Sequence, residues 1–326
     1  MKIKIPQYNL DGLGGEFLLT QELETKIAKF LGVKHCVMVS SGTMAVFLAI
    51  RAIGVKKVAI PPLTMIATAT AVELAGCEIT FVSGNKMPEG TEAYVHVSLN
   101  GRDCDIEEIM QLNPGVNIIE DACQAFGSKY KGKYLGTFGR VGCFSFSPHK
   151  ILSAGNGGCV VTNEDEIATN IRRLKNFGRE LGGADQHDFI GYNFKFTDIQ
   201  AKFVLKQFPT LTSRIKRKKE IYKRYYKKLG DVMCSHEGTP WFVDVYVEDR
   251  DSLAKYLAEK GIGTRKMYPL ITTQPPFLKN PTFGDNTLDK KYSMQGLWLP
   301  SFFKISDKQI DFIAETINEW RKANAK

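Results

Sequence analysis

Short apolar runs alternate with helix-like patterns over most of this chain, and this alternation constrains its fold more than any other feature. The runs that we interpret as strands are 36–39, 58–60, 79–82, 94–97, 116–119, 143–146 and 159–162. The helical patterns between them cover about 20–31, 43–53, 64–75, 106–112 and 164–175. Strands that alternate with helices predict an α/β fold with a mostly parallel, doubly wound sheet. Ligands of such sheets bind at the carboxyl ends of the strands.

The pattern changes in the last third of the chain. Residues 241–247 are typical of a strand, and 251–260 of a helix that Gly261 ends. Ser306 and Gln309 have the spacing of a capping box, which predicts a C-terminal helix to about Trp320. With about 150 residues per domain as a guide, we predict a large domain over 1–205, which begins with a Gly-containing arm, and a small α+β domain over 206–326.

Much of the net charge of +9 lies in the basic run 214–228, RIKRKKEIYKRYYKK. Ile215, Ile221, Tyr222 and Tyr225 have helical spacing within it, which favours a long amphipathic helix with a solvated basic face. A regulatory protein that binds nucleic acid through this run is the alternative, and salt-sensitive retention of DNA would favour it. We predict no nucleic-acid partner.

The N-terminus has no apolar segment typical of a signal peptide, and no apolar run approaches the roughly 20 residues of a membrane span. We therefore expect a cytoplasmic protein that does not bind membranes. The odd number of cysteines and the absence of a CxxC pair favour reduced, buried thiols, and no metal site is predicted. The cysteines are Cys36, Cys77, Cys104, Cys123, Cys143, Cys159 and Cys234.

Three segments that could bind a ligand or take part in catalysis follow predicted strands. Ser40-Ser41-Gly42-Thr43 precedes a helix, whose N-terminal amides would bind an anion such as phosphate; a simple N-cap is the alternative. Glu120-Asp121 follows the predicted strand 116–119, and the carboxylate of Asp121 would keep a pyridine nitrogen protonated; an Asp that caps a turn is the alternative. Lys150 follows FSFSPH and precedes a Gly-rich loop, so its amine would be easily deprotonated in a covered crevice. A surface lysine is the alternative. Ser145, on the approach to Lys150, is a donor for phosphate.

Phosphate anchor, carboxylate and amine occur in the order expected for a pyridoxal phosphate (PLP) site on the large domain. With these segments, the sequence resembles the DegT/DnrJ/EryC1/StrS sugar aminotransferases, which have the aspartate-aminotransferase-like fold (fold type I). The matching segments are VSSGTMAVFLAI, IIEDACQAFGSKYKGKYLGTFGRVGCFSFSPHK, AGNGGCVVTNEDEIA, LKNFG and HDFIGYNFKFTDIQA.

The resemblance implies roles for individual residues. Lys150 is similar to the lysine that holds PLP as a Schiff base, Asp121 to the partner of the pyridine nitrogen, and Gln124 to the side chain that faces the ring hydroxyl. The implied phosphate ligands are Gly42, Thr43 and Ser145.

Other implied contacts concern the partner subunit and the substrate. Asn193 is similar to a phosphate contact from the neighbouring subunit, which implies a homodimer with shared sites. His187 and Lys195 flank the GYN motif near the sugar-nucleotide pocket, with Lys195 in place of a common arginine. Met65 replaces the aromatic ring that usually stacks on the cofactor, and Asn156 replaces a common glutamate.

The implied reaction is a transamination from glutamate to a keto-sugar nucleotide for glycan assembly. Tyr268-Pro-Leu and Gln274-Pro-Pro favour a 4-keto-6-deoxyhexose, as in perosamine synthases, and a 3-keto sugar is the alternative. Some relatives with His in place of the lysine are dehydratases, and Lys150 argues against that reaction here. A Rossmann oxidoreductase is disfavoured because Gly12-Leu-Gly-Gly15 lacks the third glycine of the fingerprint and follows no strand.

Overall fold

The computed structural model describes residues 17–102, 105–179, 187 and 189–324. The predicted N-terminal arm, with its cluster Gly12–Gly15, and Cys104 lie outside the described residues. The helices are α1 (Leu18–Leu31), α2 (Gly42–Ile53), α3 (Ile66–Leu74), α4 (Ile106–Leu112), α5 (Asp165–Leu174), α6 (Asp198–Gln207), α7 (Leu211–Leu229), α8 (Arg250–Glu259), α9 (Thr287–Gln295) and α10 (Asp307–Asn324). The strands are β1 (His35–Val39), β2 (Lys57–Ile60), β3 (Glu78–Val82), β4 (Ala93–Val97), β5 (Asn117–Asp121), β6 (Lys129–Tyr130), β7 (Lys133–Tyr134), β8 (Val141–Ser145), β9 (Gly158–Thr162), β10 (Val243–Tyr246), β11 (Arg265–Lys266), β12 (Thr282–Phe283) and β13 (Gly296–Leu299).

The main sheet has eight strands in the order β1-β9-β8-β5-β4-β2-β3-β12. The strands from β8 to β12 are parallel, whereas β9 is antiparallel to both of its neighbours. Because β1 and β8 both oppose β9, they share one direction, and the carboxyl ends of β1, β2, β4, β5 and β8 lie on the same edge. The predicted α/β class with a mostly parallel sheet is confirmed.

Both faces of this sheet are covered, as the apolar strands predict. In β1, Val37 and Val39 pack in the core with α2, α3 and α5. Cys36 and Met38 point the other way and pack with α1 and α6. Successive side chains of a strand alternate between the two faces, so a strand that is buried on both is apolar along most of its length.

A second, three-stranded antiparallel sheet is formed by β10, β13 and β11. Helices α7, α8 and α10 pack on it through a separate apolar core. The guanidinium of Arg102, which follows β4, donates two hydrogen bonds of 2.6 and 2.7 Å to the fully buried carboxylate of Asp244 in β10. The two sheets are thus joined by a buried ion pair. The predicted domain boundary after residue 205 stays a prediction, and α6 spans this position.

The basic run forms one helix, α7, as predicted, but its basic face is not fully solvated. Lys218 is 8% exposed, and its amine donates to the carbonyls of Trp241 and Ser301, each at 2.8 Å. Arg224 forms an ion pair with Asp311 of α10 at 2.6 Å. The prediction of a solvated face was therefore wrong for Lys218, because α7 packs against the loop before β10, whereas Arg224 keeps 38% of its side chain exposed.

The predicted capping box is confirmed. Ser306 Oγ accepts from the Gln309 amide at 3.2 Å, and Gln309 Oε1 accepts from the Ser306 amide at 2.9 Å. The cysteines of the described residues are free thiols. Among the described residues, no helix combines the length and apolar character that a membrane crossing requires.

Candidate active site

A cavity of about 460 Å³ opens at the carboxyl ends of the parallel strands. Its walls come from the segments after β1, β2, β5 and β8, and from the segment around β10 and β11. Among the predicted site residues, the cavity brings together Gly42, Thr43, Met65, Asp121, Gln124, Ser145 and Lys150. Small-molecule sites in proteins have volumes of about 300–1,000 Å³.

One end of the cavity is the N-terminus of α2. Ser41 caps this helix, since its Oγ accepts from the Met44 amide at 3.2 Å. A Cβ on Gly42 would lie 2.7 Å from Cys123 Sγ and 2.8 Å from Ser145 Cβ, so only glycine allows the helix to approach Ser145 this closely. The positive end of the helix dipole and a buried hydroxyl therefore meet at one point, an arrangement suited to an anion.

Gly158, where the Gly-rich loop becomes β9, has a related role. A Cβ on Gly158 would lie 2.5 Å from the carbonyl carbon of Ser41 and 2.7 Å from the Gly42 nitrogen. This loop therefore packs directly on the turn that opens α2, and a larger residue would push the two segments apart.

Asp121 is the last residue of β5 and is only 8% exposed. Its Oδ2 accepts a hydrogen bond of 2.8 Å from the hydroxyl of Thr68, which lies 3.0 Å from the hydroxyl of Thr64. Its Oδ1 accepts from the Cys123 amide at 3.2 Å. These donors fix the orientation of a carboxylate that also lines the cavity.

Lys150 lies in the turn after β8, where its amide donates to the Ser147 carbonyl at 3.0 Å. Its amine is 3.2 Å from the ring centre of Trp241. Burial lowers the pKa of this amine to about 8, although the negative charge of the neighbouring Asp121 acts in the opposite direction. A substantial fraction of the amine is therefore neutral, and so nucleophilic, near physiological pH.

Gln124 borders the cavity, and a hydrogen bond on the side away from the cavity fixes its side chain. Its Oε1 accepts from the main-chain N–H of Asn100 at 2.8 Å. The Asn100 side chain in turn accepts from the Phe242 amide at 2.7 Å and donates to Asp244 at 3.1 Å. One hydrogen-bonded chain thus runs from the cavity wall to β10.

Three predicted residues lie outside the cavity of their own chain. Asn193 pairs through its main chain with Asn176. His187 is exposed, with Nδ1 2.8 Å from the Phe177 carbonyl, and the Lys195 amine lies 4.0 Å from the centre of the Phe177 ring. Their roles stay predictions.

Sequence reasoning missed several residues that line the cavity. Thr64 and Thr68 could have been found, because both follow the carboxyl end of β2 and Thr68 lies in the first turn of α3. Trp241 and Arg265 carry no such signal, since they come from the distant part of the chain that forms the second sheet. We predicted Trp241 as the start of a strand. This was wrong, because β10 begins at Val243, whereas Trp241 forms part of the cavity wall.

A doubly wound fold that gathers an amine, a buried carboxylate and a helix N-terminus around one cavity defines a class of cofactor-dependent transferase. Residues 15–318 match the model of the DegT/DnrJ/EryC1/StrS aminotransferase family. The chain belongs to this family. The predicted family is confirmed, as are the enzyme class and the cofactor: it is a PLP-dependent transferase.

Individual relatives agree with this membership. A GDP-perosamine synthase of Escherichia coli O157:H7 is 34% identical over 327 residues, which cover 92% of this chain and 89% of the relative. A UDP-N-acetyl-3-dehydro-alpha-D-glucosamine 3-aminotransferase of Acidithiobacillus ferrooxidans is 30% identical over 90% of this chain and 86% of the relative. A crystal structure of a DegT DnrJ EryC1 StrS aminotransferase from Brucella abortus superposes with a TM-score of 0.87 and 27% identity, over 93% of this chain and 90% of that chain.

The residues present fit the cofactor. The anion-binding end of the cavity suits a phosphate, the buried carboxylate suits a protonated pyridine nitrogen, and the partly neutral amine suits an aldehyde. The room for such a group is present as well, since the cavity volume of about 460 Å³ lies within the range of about 300–1,000 Å³ that small-molecule sites have.

Proposed function

We propose that this enzyme transfers an amino group from glutamate to a keto-deoxy-sugar nucleotide, with a 4-keto-6-deoxyhexose as the acceptor. The observation that carries the proposal is the amine of Lys150, with its lowered pKa, in one cavity with the fixed carboxylate of Asp121. The relative named as a GDP-perosamine synthase supports the acceptor and suggests GDP as its nucleotide.

Each of these residues has a distinct task in the proposed reaction. The Lys150 amine would hold the cofactor and, as a free amine, would carry the proton that moves during amino transfer. Asp121 keeps the pyridine nitrogen protonated, and Thr68 keeps Asp121 oriented. The amides at the start of α2 and the hydroxyl of Ser145 hold the phosphate. Bound PLP supplies the electron sink for the carbon that loses its proton.

Arg265 supports an anionic substrate. It borders the same cavity, is exposed, and places its guanidinium carbon 5.0 Å from the ring centre of Trp298. A guanidinium that is held over an aromatic ring can still bind a carboxylate or a phosphate through its edge. We propose that Arg265 attracts the charged part of the amino donor or of the nucleotide.

The decisive experiment is an amino-exchange assay with the purified, PLP-loaded protein. Glutamate and a panel of keto-sugar nucleotides are supplied, and the products are identified by mass. We expect an amino sugar from the GDP-linked 4-keto-6-deoxyhexose. Product only from a UDP-linked 3-keto sugar would favour the second candidate, which the 3-aminotransferase relative supports. Loss of oxygen without gain of nitrogen would indicate a dehydratase.

Two variants provide the controls for this assay. Lys150→Ala should lose both the visible absorption of lysine-bound cofactor and turnover. Lys202→Ala, which removes an exposed lysine of α6, should keep both. Turnover in Lys150→Ala would contradict the role of this lysine.

We also propose that the active unit is a homodimer, in which Asn193 of each chain contacts the cofactor phosphate in its partner. The support is that Asn193 lies outside the cavity of its own chain, near Ile190, whose side chain is 83% exposed. Asn193→Ala should weaken PLP retention while light scattering still reports a dimer. Unaltered cofactor affinity, or a monomeric wild type, would refute the shared site. The cytoplasmic location stays a prediction.

A further inference from the structure

The indole of Trp241 lies against the amine of Lys150. The nitrogen is 3.2 Å from the ring centre, which is well within the range of a cation–π contact. The indole Nε1–H donates to the carbonyl of His149 at 2.9 Å. The ring is therefore fixed to the segment that carries Lys150, with its face towards the amine.

The main chain around Trp241 is held by three other parts of the fold. Its carbonyl accepts from the buried Lys218 amine of α7 at 2.8 Å. The next amide, of Phe242, donates to the Asn100 side chain at 2.7 Å, and Thr239 accepts from and donates to Ser128. These hydrogen bonds fix the position of the Trp241 ring before any ligand binds, so the ring is preorganised.

We infer that Trp241 is a positioning residue, whose ring face holds the Lys150 amine at the cavity wall whenever this amine is not bonded to the cofactor. The inference rests on the proposed role of Lys150. In the proposed reaction, this amine would be free for part of each amino transfer and would have to stay within reach of the cofactor. A free lysine side chain has many rotamers, and a fixed acceptor for its cation limits the amine to one place within reach.

The π face also acts on the proton equilibrium of the amine. A ring quadrupole attracts the ammonium form and not the neutral form, so it opposes the effect of burial. The other titratable or charged side chains that line the cavities around this amine are Asp121, Cys123, His149, Lys218, Arg265 and Tyr268. None of them changes in the variants proposed below, so any difference between variants reports on the ring.

The test uses cofactor-free protein and needs no turnover. Wild type, Trp241→Phe and Trp241→Leu are labelled with acetic anhydride across a range of pH, and labelling of Lys150 is read by peptide mass spectrometry. In Trp241→Leu we expect the midpoint of labelling to fall by roughly one pH unit, because the stabilised ammonium is lost. Trp241→Phe keeps a π face and should retain most of the wild-type midpoint. Exposed Lys202 is the internal reference.

Two outcomes would overturn the inference: an unchanged midpoint in Trp241→Leu, or equal shifts in the Leu and Phe variants. If Trp241→Leu does not fold, tryptophan emission of cofactor-free wild type and of Lys150→Met is compared across pH. We expect a transition near the pKa of the amine that is absent from Lys150→Met. A transition that persists there would also overturn the inference. Failure of the proposed function is distinguishable, because it would appear as missing Lys150-dependent absorption in PLP-loaded protein.

Discussion

The main-chain N–H of Asn100 donates a hydrogen bond of 2.8 Å to Oε1 of Gln124. Asn100 is 1% exposed and has a left-handed main chain, with φ of 56° and ψ of 23°. Its side chain also bonds to Phe242 and Asp244. One strained, buried residue therefore connects the cavity wall to the second sheet.

Replacement of Asn100 should therefore destabilise the protein and loosen the cavity. We expect Asn100→Ala to lower the free energy of unfolding by about 2–4 kcal/mol, since it leaves buried polar groups without partners. Urea unfolding and PLP titration provide the measurements. Asn100→Gly is the matched control, because it relieves the left-handed strain but also lacks the hydrogen bonds. If Gly restores wild-type stability, strain rather than hydrogen bonding determines the effect.

Thr68 should keep the carboxylate of Asp121 oriented towards the cofactor ring. Thr68→Val removes the hydroxyl that donates to Oδ2 at 2.8 Å and keeps the side-chain shape. We expect turnover to fall about tenfold, because a hydrogen bond to a charged group contributes about 1.5–3 kcal/mol.

Asp121→Asn should leave PLP bound but reduce turnover further, by on the order of 10²–10⁴. Near-normal turnover in Asp121→Asn would remove the proposed role of its charge.

The uptake of PLP by cofactor-free protein should depend on pH through the Lys150 amine. Burial lowers the pKa of this amine to about 8. Only the neutral amine attacks an aldehyde, so the rate of uptake should rise as pH increases through about 8 and then level off. Stopped-flow absorption measures this rate. Lys150→Arg keeps a cation that stays protonated, and should show no lysine-bound cofactor at any pH. A rate that falls with pH would contradict this assignment.

Glu120 should be essential for the loop between β7 and β8. Its Oε1 accepts from the amides of Phe138 and Gly139 at 2.5 and 2.7 Å, and its Oε2 accepts from Gly136 at 2.6 Å. Glu120→Gln turns one acceptor into a donor that faces an N–H group. We expect a loss of about 2–4 kcal/mol in thermal or urea unfolding, and Glu120→Asp should not rescue it, because the shorter side chain cannot reach all three amides. Unaltered stability in Glu120→Gln would show that these bonds contribute little.

The sequence predicted the main sheet well because strands buried on both faces leave a strong signal. Runs such as 36–39 and 58–60 are apolar throughout, and they correspond to β1 and β2. The antiparallel direction of β9 was not predicted, since apolarity does not encode direction. Strands β6, β7, β11, β12 and β13 and helices α6 and α9 were missed. Four of these strands have only two residues, and α9 has a mixed pattern.

The residues of the site also fall into those that the sequence predicts and those that it does not. Residues that follow parallel strands, such as Asp121 and Lys150, could be predicted because such segments meet at one edge of a sheet. Trp241 and Arg265 could not, since their place in the cavity depends on how the second sheet packs against the first. That packing is encoded in pairs distant in sequence, such as Arg102 with Asp244, and a local pattern does not reveal them.

The Arg102–Asp244 ion pair has a consequence for how this enzyme could exchange segments with its relatives. The part of the chain between Arg102 and Asp244 carries Asp121, Ser145 and Lys150 of the cofactor cavity. A chimera with a crossover between them inherits the two charges from different parents. If either parent lacks its half of the pair, the other charge is buried alone, at a cost of about 3–5 kcal/mol. A chimera that exchanges substrate range between such enzymes should therefore take Arg102 and Asp244 from the same parent.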